Sequence, residues 1–233
     1  MYSAFDGKHT FKVPVHVDGT TVELSGWKAI PASAVSFDPD PSVAGGVTVT
    51  VLQAEPEITI AATNGTIGGM APLRITSGTP EDWAAGEARY NNGVEFTLMI
   101  DFSQIVDPNW MPPIPPPNLA CNNCHSTGAK YLEIQHTPTQ EARFSDDELS
   151  TIFSKGMKPP GVGFRVLPAM VGNMTDVDLY AAYHKWDATP QEIKGLIIYL
   201  RSLTPTGMGD ILLPDGTYAP PGGMPSGAGG AGK

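Results

Sequence analysis

The chain has 233 residues and a formal net charge of −10, with 24 Asp and Glu against 14 Lys and Arg. That length suits one large domain or two small ones, and the acidity excludes nucleic acid and anionic membrane as electrostatic partners. With 26 Gly, 23 Pro and only 16% charged residues, the composition excludes a disordered polyelectrolyte and points to many turns between short elements.

From the start of the chain, Met1-Tyr2-Ser3-Ala4-Phe5-Asp6 lacks the basic start and apolar run of a signal peptide. No apolar run anywhere reaches the roughly 18–20 residues of a membrane span. Residues 9–107 read as β-structure. Phe11, Val13, Val15 and Val17 alternate with Lys12, Pro14 and His16, and Asp18-Gly19 followed by Thr21-Val22-Glu23-Leu24 predicts a hairpin. Pro14 cannot donate to a ladder, so its strand belongs at a sheet edge. Further strands are expected at Val47–Leu52, Glu57–Ala62, Leu73–Thr76 and Val94–Phe102, punctuated at Asn64-Gly65, Gly68-Gly69, Ser77-Gly78 and Asn92-Gly93. Short strands at this spacing predict a β-sandwich with the look of bacterial immunoglobulin-like modules.

Residues 108–118, PNWMPPIPPPN, predict an extended, semi-rigid connector. Charge changes across it: residues 1–117 carry five Lys and Arg against thirteen Asp and Glu, residues 118–233 nine against eleven. Two capping boxes follow. Ser145-Asp146-Asp147-Glu148 opens a helix bearing Leu149, Ile152 and Phe153 that closes at Gly156. Thr189-Pro190-Gln191-Glu192 opens a second, whose Ile193, Leu196, Ile197, Leu200 and Leu203 form one apolar face before Thr204-Pro205. Residues 206–233 predict a tail, with a small hairpin at Asp215-Gly216 and a low-complexity end, PPGGMPSGAGGAGK.

The chemistry concentrates at Cys121-Asn122-Asn123-Cys124-His125, which holds both cysteines of the chain. Two thiols at this spacing reach the two vinyl groups on one edge of a porphyrin, and the next residue projects an imidazole beneath the iron. C-x-x-C-H therefore predicts one covalently attached haem c, with thioethers at Cys121 and Cys124 and His125 on the metal. The rivals explain less. Zinc needs two further ligands, for which only His136 and His184 lie downstream. A redox dithiol belongs in a βαβ unit, and a plain disulfide leaves His125 unexplained. Haem attachment of this type requires export, so the sequence reads as a mature or trimmed form of a periplasmic, outer-surface or extracellular protein.

The candidates for the sixth iron position are Met157, Met170, Met174, His136 and His184. Residues 119–204 resemble a class I cytochrome c domain: CNNCH first, a middle helix, then a terminal helix written EIKGLIIYLRSL. The stretch IQHTPTQEARFSDDELSTIFSKGMKPPGVGFRVLP, followed by HKW, resembles a group of bacterial exported monohaem cytochromes. The resemblance covers somewhat more than a third of the chain and not the β-region. It implies a distal ligand in the loop before the terminal helix, usually methionine; the matching position, in Tyr183-His184-Lys185-Trp186-Asp187, holds His184. A second departure is the helix that normally precedes C-x-x-C-H and crosses the terminal one, for which the proline run leaves no room.

The expected fold class is thus α+β in two domains: an immunoglobulin-like β-sandwich over 1–107, a linker over 108–118, an all-α cytochrome c domain over 119–205 and a tail over 206–233. The expected metal ligands are His125 and His184. Arg165 and Trp186 are candidates to bond haem propionates, with ordinary packing as the plainer role, and His136 is a loop residue within reach of one. Met170 is the strongest methionine competitor, and Tyr199 and Leu196 read as core or haem wall. Met ligation raises the potential, so a His pair predicts a lower one. The β-region shows no catalytic constellation: His9 and His16 lack metal spacing, and Trp27, Trp83 and Trp110 read as core anchors. The expected activity is single-electron transfer with redox partner proteins, with the β-region as a docking or spacer module. The competing readings are a haem enzyme or gas sensor with an open or Met-ligated sixth site, and a self-associating or multi-haem assembly.

Overall fold

The structure is a computed structural model, and its described residues are 1–93, 120–125, 136–157 and 184–205, without the side chains of Asn123 and Cys124. The expected strand at Val94–Phe102, the connector 108–118 with Trp110, Arg165, Met170, Met174 and the tail 206–233 lie outside them. The described elements are β1 (Tyr2–Phe5), β2 (Lys12–Val15), β3 (Trp27–Ile30), β4 (Val35–Pro39), β5 (Val47–Val51), β6 (Glu57–Thr63), β7 (Gly68–Ser77), α1 (Pro80–Asn92), α2 (Asn122–His125), α3 (Pro138–Glu141), α4 (Asp146–Lys155) and α5 (Pro190–Ser202). The fold is mixed α+β, with seven strands in two sheets among the described residues.

One sheet runs β1-β7-β6-β3 and the other β2-β5-β4. β1 lies parallel to β7; every other pairing is antiparallel. The alternation in the sequence explains the layers. Val47, Val49 and Val51 of β5 point inward, as do Ile58, Ile60 and Ala62 of β6. With Phe11, Val13, Trp27, Leu73 and Ile75 they form one apolar cluster shared by both sheets. Each fully buried Val, Ile or Leu contributes about 1.5–3 kcal/mol there. Among the described residues Pro14 sits in an edge strand, since β2 pairs there only with β5.

The hairpin expected through Thr21–Leu24 does not form. Asp18-Gly19 turns the chain, with Gly19 at φ +73°, but Val22 drops into the core and Leu24–Gly26 makes a single 3₁₀ turn. The next strand, β3, pairs with β6 instead. A β-carbon on Gly26 would stand 2.2 Å from the Thr63 carbonyl oxygen, so the chain passes too close to β6 for a larger residue.

A second correction concerns residues 80–92, which the sequence reading placed in β-structure. They form α1, opened by a capping box between Thr79 and Asp82 with Pro80 in its first turn. α1 packs across α5 at two glycines. A β-carbon on Gly86 would lie 2.0 Å from the Gly195 oxygen, and one on Gly195 would lie 2.5 Å from the Asp82 oxygen. The two backbones are therefore in direct contact. α4 and α5 begin at the expected capping boxes, Ser145 with Glu148 and Thr189 with Glu192, and α4 ends at left-handed Gly156.

The helices form a second apolar cluster: Tyr90, Cys121, Leu149, Phe153, Trp186, Leu196, Ile197, Tyr199 and Leu200. Arg201 joins it to the sheets. Its buried guanidinium donates to Ser3 O (2.9 Å), Thr76 Oγ1 (2.6 Å) and Phe144 O (3.1 Å), and pairs with Asp146 at 2.6 Å. Burial pulls Arg201 below its ordinary pKa, and Asp146 opposes that shift. The Tyr2 N–H also donates to Ala142 O at 2.7 Å. Among the described residues, no helix is long and apolar enough to cross a membrane.

Candidate functional site

α2 is one helical turn containing Asn122, Asn123, Cys124 and His125, with Cys121 immediately before it. The turn is held by a 2.9 Å bond from His125 N–H to Cys121 O. Such a turn puts residues 121 and 124 on one side and carries 125 round to a neighbouring direction. Cys121 and His125 are both buried, so α2 faces inward. Its position is set from α1: the buried Tyr90 hydroxyl donates to His125 O at 3.2 Å, and Asn122 Nδ2 donates to Asn91 Oδ1 at 3.0 Å. Burial pushes the Tyr90 phenol pKa far up, so Tyr90 remains a donor.

Three histidines meet at this place. The His136 ring stacks on His125 with centroids 3.9 Å apart, and the His184 ring lies 6.0 Å from His125, tilted by 52°. Two imidazoles sharing one metal from opposite sides, with bonds of about 2 Å, bring their centroids to about 6 Å. The His125–His184 separation fits that requirement; the His136 stack is too close for it. His136 carries a second mark of constraint. It is left-handed, with φ +47°, a conformation costing about 1–2 kcal/mol for a residue with a β-carbon. Its Nδ1 is buried and has no hydrogen-bond partner among the described residues. Burial and the neighbouring histidines hold the His136 pKa well below the ordinary value, so the ring is neutral.

Trp186 is anchored two residues beyond His184. Its backbone N–H donates to Phe153 O at 2.9 Å, its ring stacks on Phe153 at 6.0 Å, and Arg89 lies 4.9 Å over the ring. Trp186 is thus a buried packing residue that fixes the segment between His184 and α5. Arg89 is itself almost fully buried, paired with Glu192 at 3.6 Å. Tyr199 and Leu196 line the same cluster, whereas Met157 is more than half exposed. Cys124 belongs to α2, but its side chain lies outside the described residues.

Of the site residues named from sequence, the structure brings the buried Cys121, His125 and Trp186 and the half-buried His184 into one neighbourhood, with His136 beside them. Sequence reading missed Tyr90, Asn91 and Arg89, which enter from α1. Their signal was present: Thr79-Pro80-Glu81-Asp82 is a capping box, and Trp83, Gly86 and Tyr90 recur at helical spacing. Among the described residues, no group of three or more His, Cys, Asp or Glu is arranged to hold a bare metal ion. No protein-family model, curated protein or solved structure matches the chain.

Proposed function

We propose that the chain is a single-electron carrier holding one haem c through Cys121, Cys124 and His125, with His184 as the second axial ligand. The observation that carries this reading is the 6.0 Å separation of the His125 and His184 rings beside the buried Cys121 of a C-x-x-C-H turn. When bound, the haem supplies reversible one-electron chemistry at its iron.

The residues of the chain do the rest. Cys121 and Cys124 would tether the group, and His125 and His184 would ligate its iron. Tyr90 grips the His125 carbonyl, and the Trp186–Phe153 bond limits how far His184 can swing. The α1–α5 crossing supports the resemblance to class I cytochrome c, because it supplies the crossing helix that the connector sequence had no room for. The seven strands in two sheets support an immunoglobulin-like docking or spacer module. Redox partner proteins in the periplasm or outside the cell complete the reading.

Absorption and magnetic circular dichroism of the haem-loaded protein test the ligand set. Low-spin ferric spectra without a methionine-to-iron charge-transfer band are expected, and the ferrous protein should bind carbon monoxide slowly. A methionine band contradicts His184 ligation, and fast carbon monoxide binding points instead to an open-site enzyme or sensor.

A further inference from the structure

We infer that four rings, Tyr90, Tyr199, Trp83 and His9, form a route for single electrons between His125 and the protein surface. The inference rests on the haem reading above and goes beyond it, because it gives the β-region a part in electron exchange.

The route is an unbroken line of contacts. The Tyr90 hydroxyl bonds the His125 carbonyl at 3.2 Å. The Tyr90 ring lies 5.2 Å from Tyr199, Tyr199 meets Trp83 edge-on at 5.2 Å, and Trp83 stacks on His9 at 3.8 Å and 13°. Tyr90 and Trp83 sit two turns apart on α1, and α5 inserts Tyr199 between them. The rings are fixed. The Trp83 indole N–H donates to Ser202 Oγ at 2.6 Å, Asn91 Nδ2 donates to the Tyr199 hydroxyl at 3.4 Å, and His9 Nδ1 bonds Asp6 Oδ2 at 2.5 Å. Asp6 is held in turn by the N–H groups of Lys8 and His9. Tyr90 and Tyr199 are buried, whereas the His9 side chain is 23% exposed, and Lys8 beside it is fully at the surface. The line is buried at Tyr90 and Tyr199, half-buried at Trp83 and open to solvent at His9.

Electronic coupling falls less steeply across touching π-systems than across saturated side chains or gaps. A reduced haem held at this site would give up one electron and be oxidised by one unit, and a one-electron acceptor protein in contact with His9 would be reduced by it; entry would be the reverse. The rings lend orbitals only. None is oxidised, and no proton moves.

The test uses the haem-loaded full chain carrying Lys8→Cys, the two native cysteines being consumed as thioethers. A photoactive ruthenium complex is attached at position 8 and flash-oxidised with an external quencher, and its refilling by ferrous haem is followed by absorption. Trp83→Leu and Tyr199→Leu should each slow refilling several-fold, while Trp83→Phe and Tyr199→Phe keep it. The midpoint potential and axial-ligand bands should stay unchanged in all four. The same label at Asp147→Cys, on α4 and off the route, should be insensitive to them. An unchanged rate from position 8 in the leucine variants, or equal slowing from position 147, overturns the route while leaving the haem reading intact. A parent protein without covalent haem overturns both.

Discussion

In the proposed haem site, the side chain at position 184 would set the potential. A thioether stabilises ferrous iron better than an imidazole does, so His184→Met should raise the midpoint potential. The expected rise is on the order of 0.1 V, a fraction of the about 0.8 V that axial ligands span. A potentiometric titration reads it, and an unchanged or lowered potential contradicts the assignment. Asp82 is a second decisive residue. Lys194 Nζ at 2.8 Å holds its carboxyl below the ordinary carboxylate range, with help from the Thr79 N–H and against burial. Because the folded pKa is the lower one, this stabilisation is complete above the unfolded value of about 3.9 and is lost as pH falls through the folded value. Asp82→Asn should therefore lower stability at pH 7 and shrink the loss on acidification below about pH 4, as read by denaturant unfolding at both pH values. A variant with the parent's stability at pH 7 and the parent's acid loss contradicts the pairing. Cys121, His125 and His184 were legible at this scale because C-x-x-C-H is local and His184 stands just before a readable cap. The His136 stack was not, because backbone strain and ring contacts leave no trace in spacing.

At the scale of elements, α1 is where sequence and structure part most. Its cap, Thr79-Pro80-Glu81-Asp82, had the same form as the two that were read correctly at Ser145 and Thr189. Its apolar face hid because the central contact residue is Gly86, which contributes closeness rather than hydrophobicity. Gly86→Ala or Gly195→Ala must push two backbones apart. Each should cost about 1–3 kcal/mol and loosen the hold on α2, since Tyr90 and Asn91 bond it from the end of α1. Thermal unfolding followed by far-ultraviolet circular dichroism reads the cost; an unchanged midpoint contradicts the close crossing. Thr189→Ala, which removes only a cap, should cost about 1 kcal/mol and leave the absorption spectrum unaltered. The β-strands with clear alternation, β5 and β6, were legible. The pairing of β3 with β6 was not, because register between distant strands is set by the assembled core.

For the whole molecule, charge asymmetry and the proline-rich connector suggested separately built halves, and the contacts bind the described parts together. Arg201 links α5 to β1, β7 and the start of α4, Ala142 joins the core of the sheets, and α1 from the first part crosses α5 from the second. Arg201→Met leaves the Ser3 and Phe144 carbonyls without this donor and should cost at least about 1–3 kcal/mol. The intact chain should unfold in one cooperative step, with tryptophan fluorescence and far-ultraviolet circular dichroism coincident; two resolved transitions contradict the coupling. For the same reason, a fragment of residues 119–205 alone lacks α1 and should neither fold nor retain haem. The central claim, one covalent haem at Cys121 and Cys124, is tested most directly by the intact mass of the chain produced in a host that matures c-type haem. A mass increase of one haem is expected, lost when both cysteines are replaced by alanine; an unmodified chain, or one holding zinc instead, contradicts covalent haem at Cys121 and Cys124.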